Sequence, residues 1–178
     1  MKKFKGLLVL LILVVLTGCS LVNSAKSKVE ALLIKYQTNS SDLKTEWDDF
    51  LASINADDNY KDDYRKVYER QYKDLKYKIK EEKIDGDKAT VIAEIEVYDY
   101  YKTESDATSY IASNPKEFND NGVYSVSKGL EYKIKAYNNT KDRVTYTIDF
   151  TLTKTDNKWT IDPLTDDELA KLHGTYVH

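Results

Sequence analysis

The feature that most constrains the fold is a strict two-residue alternation late in the chain. From Arg143 to Thr153, Val144, Tyr146, Ile148, Phe150 and Leu152 alternate with Thr145, Thr147, Asp149, Thr151 and Thr153. A period of two sends successive side chains to opposite faces of a strand, so this run has one face to bury and one for water. An earlier run repeats the pattern, with Ala89, Val91, Ala93, Ile95 and Val97 against Thr90, Glu94 and Glu96. Each run has a partner across a turn signal. Asp85-Gly86 joins Leu75, Tyr77 and Ile79 to the first, and Asp156-Asn157 joins the second to Trp159 and Ile161. One covered and one wet face per strand is the mark of antiparallel pairing.

Ahead of residue 73 the apolar period is helical. Val29, Leu32, Leu33 and Tyr36 form one stripe after a start near Ser24. Trp47, Phe50, Leu51 and Ile54 form a second, with Ser41 or Asp42 able to cap it. Tyr60, Tyr64, Val67, Tyr68 and Tyr72 form a third. After the strands, Thr165-Asp166-Asp167-Glu168 spells a capping box and Gly174 suits a helix stop. Between the two hairpins lies an excursion, residues 103 to 143. Glu104 to Ala112 reads as a short helix ended by Asn114-Pro115, and Phe118 is a lone anchor in a polar stretch. Residues 127–137 fit two templates: Leu130, Lys133, Ile134 and Tyr137 as a helix face, or Leu130, Tyr132, Ile134 and Ala136 as a strand face. Asn138-Asn139 as a stop favours the helix, and Gly129 opposes it. Excursions of this length are where binding surfaces are often built.

These elements predict an α+β domain: N-terminal amphipathic helices packed on a curved antiparallel sheet of about four strands, with the excursion between the two hairpins. The order resembles the cystatin-like cone of the nuclear transport factor 2-like superfamily, in which a curved sheet wraps N-terminal helices. That resemblance implies a pocket between sheet and helices. The ending Lys158-Trp159-Thr160-Ile161-Asp162, followed by a short helix, is also similar to small lipoproteins of Gram-positive bacteria.

The other end of the chain speaks to location. Lys2, Lys3 and Lys5 precede an unbroken apolar run from Leu7 to Leu16, and Leu16-Thr17-Gly18-Cys19 follows. A charged start, a short apolar core and small residues are the layout of a secretory signal peptide. Ten apolar residues make about 15 Å of helix, half a bilayer core, too short to span. Leu16, Thr17, Gly18 and Cys19 resemble the lipobox of bacterial lipoproteins at all four positions, and Cys19 is the single cysteine. The resemblance implies that a diacylglyceryl group is attached to Cys19 and that the signal is cut just before it. The expected organisation is a signal peptide over 1–18, a lipidated tether over 19–24 and one domain over 25–178. The expected place is the extracytoplasmic face of the cell membrane, held by acyl chains on Cys19.

Composition narrows the chemistry. Loss of residues 1–18 takes three of 27 basic residues and none of the 30 acidic ones, leaving a net charge of −6. That sign argues against a nucleic-acid partner and against electrostatic docking on anionic lipid. The two histidines, His173 and His178, read as a frayed tail rather than a metal site. The pairs Asp48-Asp49, Asp57-Asp58, Asp62-Asp63 and Asp166-Asp167 lack the spacing of a calcium loop, and read as helix-end charges. No nucleophile elbow or phosphate loop is present, so no metal, cofactor or catalytic residue is assigned. Asp99 shares the parity of Ile95 and Val97 at a strand end. With Tyr98 and Tyr146 it makes a candidate pocket mouth. The cone resemblance would let such a carboxylate and tyrosines act as an acid–base pair of the isomerase or dehydratase kind. The reading preferred over that enzyme is a non-catalytic domain that binds a small ligand, a peptide or an envelope protein.

Overall fold

The computed structural model describes residues 23–38, 43, 48, 52 and 59–177. Leu16 to Cys19, the stripe Trp47, Phe50, Leu51 and Ile54, and His178 lie outside the described residues. The elements in order are α1 (Ala25–Gln37), α2 (Lys61–Lys73), β1 (Lys76–Asp85), β2 (Lys88–Tyr98), α3 (Tyr100–Ser113), α4 (Pro115–Phe118), β3 (Asn119–Asp120), β4 (Val123–Tyr124), α5 (Val126–Asn139), β5 (Arg143–Thr155), β6 (Lys158–Ile161) and α6 (Asp166–His173).

The fold class is as expected. β1, β2, β5 and β6 pair in that order as one antiparallel sheet, with helices packed on one face. The β2–β5 register runs unbroken from Lys88↔Thr153 to Tyr98↔Arg143. It places Val91 beside Phe150, Ala93 beside Ile148 and Ile95 beside Tyr146. Small against large across the ladder lets the face close without voids. All of these are buried. Thr145, Thr147, Asp149 and Thr151 are exposed on the other face, where water satisfies them. At the β5–β6 turn, Asp156 and Asn157 both take positive φ, 51° and 60°. Such turns match the strand twist, and Asp and Asn tolerate that region.

β1 is an edge strand, and its sequence guards it. A register shift falls between Ile79 and Glu81, and lysines at 76, 78, 80 and 83 line the strand. A bulge and charges are the usual defences against a stray strand adding to an open edge. Past the bulge, Glu82 accepts a hydrogen bond from the backbone N–H of Lys26 at 2.8 Å. Ser24 caps the same helix by accepting from Ser27 N at 3.0 Å. Two of the orphan N–H groups of α1 are thereby paired, and a carboxylate meets the positive end of the helix dipole. α1 is tied to the end of the sheet that carries both hairpin turns.

Residues 99–142 leave from the opposite end. α5 settles the open choice at 127–137 in favour of a helix. The helix ends at Asn138-Asn139, the stop that favoured it, and buries Ile134 in the core. Gly129 is tolerated because the Tyr124 ring lies across it, where a Cβ would overlap the phenol oxygen. α3 begins four residues earlier than the Glu104 expected, since Asp99 caps it. The excursion also holds a two-stranded ladder, β3–β4, which the sequence reading did not anticipate.

The C-terminal helix corrects another expectation. His173 is no frayed tail: it is 8% exposed, its ring centroid 5.5 Å from that of Tyr68 and 5.8 Å from that of Tyr72. The capping box forms as read. Burial lowers the His173 pKa to about 4. The folded state therefore resists a proton that the unfolded chain accepts near 6.5. Stability should be full above pH 6.5, fall between 6.5 and 4, and gain no further loss from this group below 4. The shift corresponds to about 3 kcal/mol as an upper bound. Urea titrations from pH 7 to 4 check this. The slope between 6.5 and 4.5 should flatten in His173→Phe; an unchanged slope would refute the assignment.

Candidate functional site

Asp99 and Tyr146 come within electrostatic reach at the excursion end of the sheet, Tyr98 does not join them, and each side chain is already engaged. Asp99 is 5% exposed. Its Oδ1 accepts from Lys102 N at 2.8 Å, which makes it the N-cap of α3. Tyr146 donates to the carbonyl of Tyr176 at 3.1 Å. Burial, then the charge of Asp99, pushes its hydroxyl up to about 12. Tyr98 lies on the other face of β2, opposite Arg143. Its hydroxyl donates to Asp74 Oδ2 at 2.7 Å, and the Arg70 guanidinium sits 3.7 Å from its ring centroid. Burial, then the Asp74 hydrogen bond, raises its pKa. These contacts build a joint rather than a basin.

The joint centres on Gln71, which is fully buried. β1 pairs β2 only as far as Lys76↔Glu96. Two residues beyond, the Gln71 amide takes over the ladder: Oε1 accepts from Tyr98 N at 2.7 Å and Nε2 donates to Tyr98 O at 3.0 Å. Nε2 also donates to His173 O at 2.8 Å, so one amide binds α2, β2 and α6. Nearby, Arg70 donates to the carbonyls of Tyr137 and Thr140 at 2.9 and 2.8 Å. That places a cation on the negative end of α5 and fixes the excursion to α2.

The excursion itself carries an open groove between α3 and α5. Thr103, Asp106, Ala107 and Tyr110 form one helical stripe, and Tyr132, Ala136 and Asn139 form the facing one, with Thr140 and Asp142 at one end. The groove is a shallow depression of about 400 Å³, largely open to solvent. Ala107 and Ala136 leave the depression, since neither side chain fills it. Tyr110 and Tyr132 stack at one end, centroids 4.9 Å apart and planes 9° apart. Phe118 meets Tyr132 edge-on at 5.3 Å and anchors that wall from below. At the other end Lys102 bridges Asp106 at 2.6 Å and Asp142 at 3.0 Å. The bond to Asp106, then that to Asp142, raises the pKa of the lysine.

Tyr110 lies on a helix as the sequence predicts, whereas the groove has no signature in the order of elements. The signal was there, in two stripes at i, i+4 and i+7, but it becomes visible only once 126–139 is known to be a helix. Among the described residues no cluster of His, Cys, Asp and Glu could hold a metal ion, and no helix is long and apolar enough to cross a membrane.

No protein-family model matches the chain, and no curated protein matches it in sequence. Among solved structures it is similar to YcdA, a proposed lipoprotein of Bacillus subtilis, at 18% identity and a TM-score of 0.41. The match covers 75% of this chain and 44% of that one, so the chain spans less than half of YcdA.

Proposed function

We propose that this is a lipid-anchored extracytoplasmic protein whose single domain binds a ligand or an envelope partner without transforming it. Residues 1–18 are a signal, Cys19 carries the acyl chains, residues 20–24 are the tether, and the domain runs from 25 to 178. The observation that carries the reading is Leu16-Thr17-Gly18-Cys19, with the single cysteine placed directly after a ten-residue apolar run. Two acyl chains hold stably where one holds marginally, so a diacylated Cys19 suffices. Support for the boundary comes from Ser24, which caps α1 five residues past Cys19. Five residues reach at most about 17 Å, so the domain stays close to its anchor. Support for binding over acid–base chemistry comes from Asp99, whose carboxylate is spent on the start of α3.

Metabolic labelling with a radioactive or alkyne fatty acid tests the anchor. Cys19→Ala should abolish the label and leave the precursor uncut by the lipoprotein signal peptidase. Equal labelling in the variant would sink the proposal.

A further inference from the structure

We propose that the α3–α5 groove is a saccharide-binding site that takes a neutral glycan through about two sugar rings. It deepens the binding role above, and depends on that reading only for where the ligand is met. Thr103 to Tyr110 spans seven residues, about 10 Å of helix, the length of a disaccharide. A sugar ring offers a C–H face and a rim of hydroxyls, and the groove offers a partner for each. Tyr110 stacks on Tyr132 and is still 40% exposed, which leaves ring surface for a C–H face. Asp106, Asp142 and Asn139 at the other end are planar acceptors and donors for hydroxyls. Asp106 and Asp142 meet Lys102 through Oδ2, so Oδ1 of each is available to a ligand. The alanine floor lets a flat ring lie low.

Other ligand classes fit less well. The two carboxylates disfavour an anionic polymer. An extended peptide adding as a strand needs an open backbone edge, and both walls here are helices whose backbone bonds are internal. A partner helix needs a long apolar groove with anchors at i, i+3, i+4 and i+7. Here the middle is alanine and threonine, and one end is charged.

The test is a calorimetric and NMR titration of the full chain, purified in detergent, with a β-1,4-linked N-acetylglucosamine tetramer and, separately, trilysine. We expect millimolar or tighter binding of the glycan, with shifts confined to residues 103–110 and 132–142. Tyr110→Ala should weaken binding about tenfold, a loss of one aromatic contact's order, while Tyr110→Phe keeps it. Asp142→Ala should also weaken it, and Thr147→Ala on the outer sheet face should not. Circular dichroism of each variant guards against misfolding, and Asp142→Ala tests the site independently of the aromatic stack. Absence of shifts up to about 10 mM, a range that covers weak sites, would overturn the proposal. So would shifts elsewhere, or binding unchanged by both Tyr110→Ala and Asp142→Ala. Trilysine displacing the glycan from the same residues would also overturn it, in favour of a cationic peptide. Fatty-acid labelling without glycan binding removes this inference alone; glycan binding without labelling removes only the anchor.

Discussion

Gln71→Leu should destabilise the domain by about 4–5 kcal/mol. The substitution keeps volume and removes the amide, leaving three backbone groups without their partner: Tyr98 N–H, Tyr98 C=O and His173 C=O. An orphaned buried polar group carries a penalty of about 1–3 kcal/mol, and leucine offers none of them a bond. For a domain of this size that corresponds to a melting-temperature drop of roughly 10–15 °C. Gln71→Glu separates packing from hydrogen bonding. Its carboxylate still accepts from Tyr98 N–H but faces two carbonyls, so at neutral pH it should be no better than leucine. Protonation restores a donor, so this variant alone should regain stability relative to Gln71→Leu as pH falls. Urea unfolding at pH 7 and pH 5 measures both. A loss below about 1 kcal/mol, the worth of one ordinary hydrogen bond, would mean that water replaces the amide and that the joint is not what holds these elements.

Gly174→Ala should be nearly as damaging, for a different reason. Gly174 caps α6 with φ at +73°. A left-handed residue with a side chain costs about 1–2 kcal/mol. The larger effect is room: a Cβ there would overlap the backbone carbonyl of Tyr98 and Nε2 of Gln71. The first of these belongs to a paired strand and cannot swing aside, so the helix must retreat. Overpacking of that kind adds about 1–3 kcal/mol, for a total near 3–4. Gly174→Asn discriminates the two causes. Asparagine tolerates the left-handed region, but it brings the same Cβ. If crowding dominates, Asn and Ala should be equally destabilising in urea titrations. If Asn recovers most of the loss, backbone conformation is the whole account and the close approach is unimportant. Combined with Gln71→Leu, the loss should be less than additive, because both changes break the contact between α6 and β2.

Much of this architecture was legible because alternation is a local signal with a global meaning. Val144 to Leu152 could bury only one way, and the register with Ala89 to Val97 follows from matching buried faces. The caps at Ser24 and Thr165 were legible for the same reason, since their partners lie three residues away. What was hidden depends on distance in the chain. Asp99 followed strand parity but became a cap, because Lys102 is followed by a helix that its own sequence announces only from Glu104. His173 looked terminal, and its burial comes from Tyr68 and Tyr72, a hundred residues earlier. Gln71 sat inside a tyrosine-rich helical stripe as one polar residue among several, and nothing local says that its amide completes a strand ladder. The groove was obscured by a single ambiguity, the period of 127–137, which the packing of α5 on α3 and α2 resolves and the sequence alone does not.

The pairing of Lys26 with Glu82 has a consequence for how such a domain stands on a surface. Glu82 lies level with Val91 on β2, and the excursion departs after Tyr98. Seven strand residues separate the two levels, roughly 23 Å. In the anchored form proposed above, the start of α1 would bring the hold toward the hairpin turns, with the sheet as a rigid spacer that carries the excursion outward. The height comes from paired backbone rather than from a long linker, so it does not collapse with salt or with tether composition. With the anchor proposed above, this would separate two jobs along one axis: the turn end would lie toward the lipid headgroups, and the helical end would face outward.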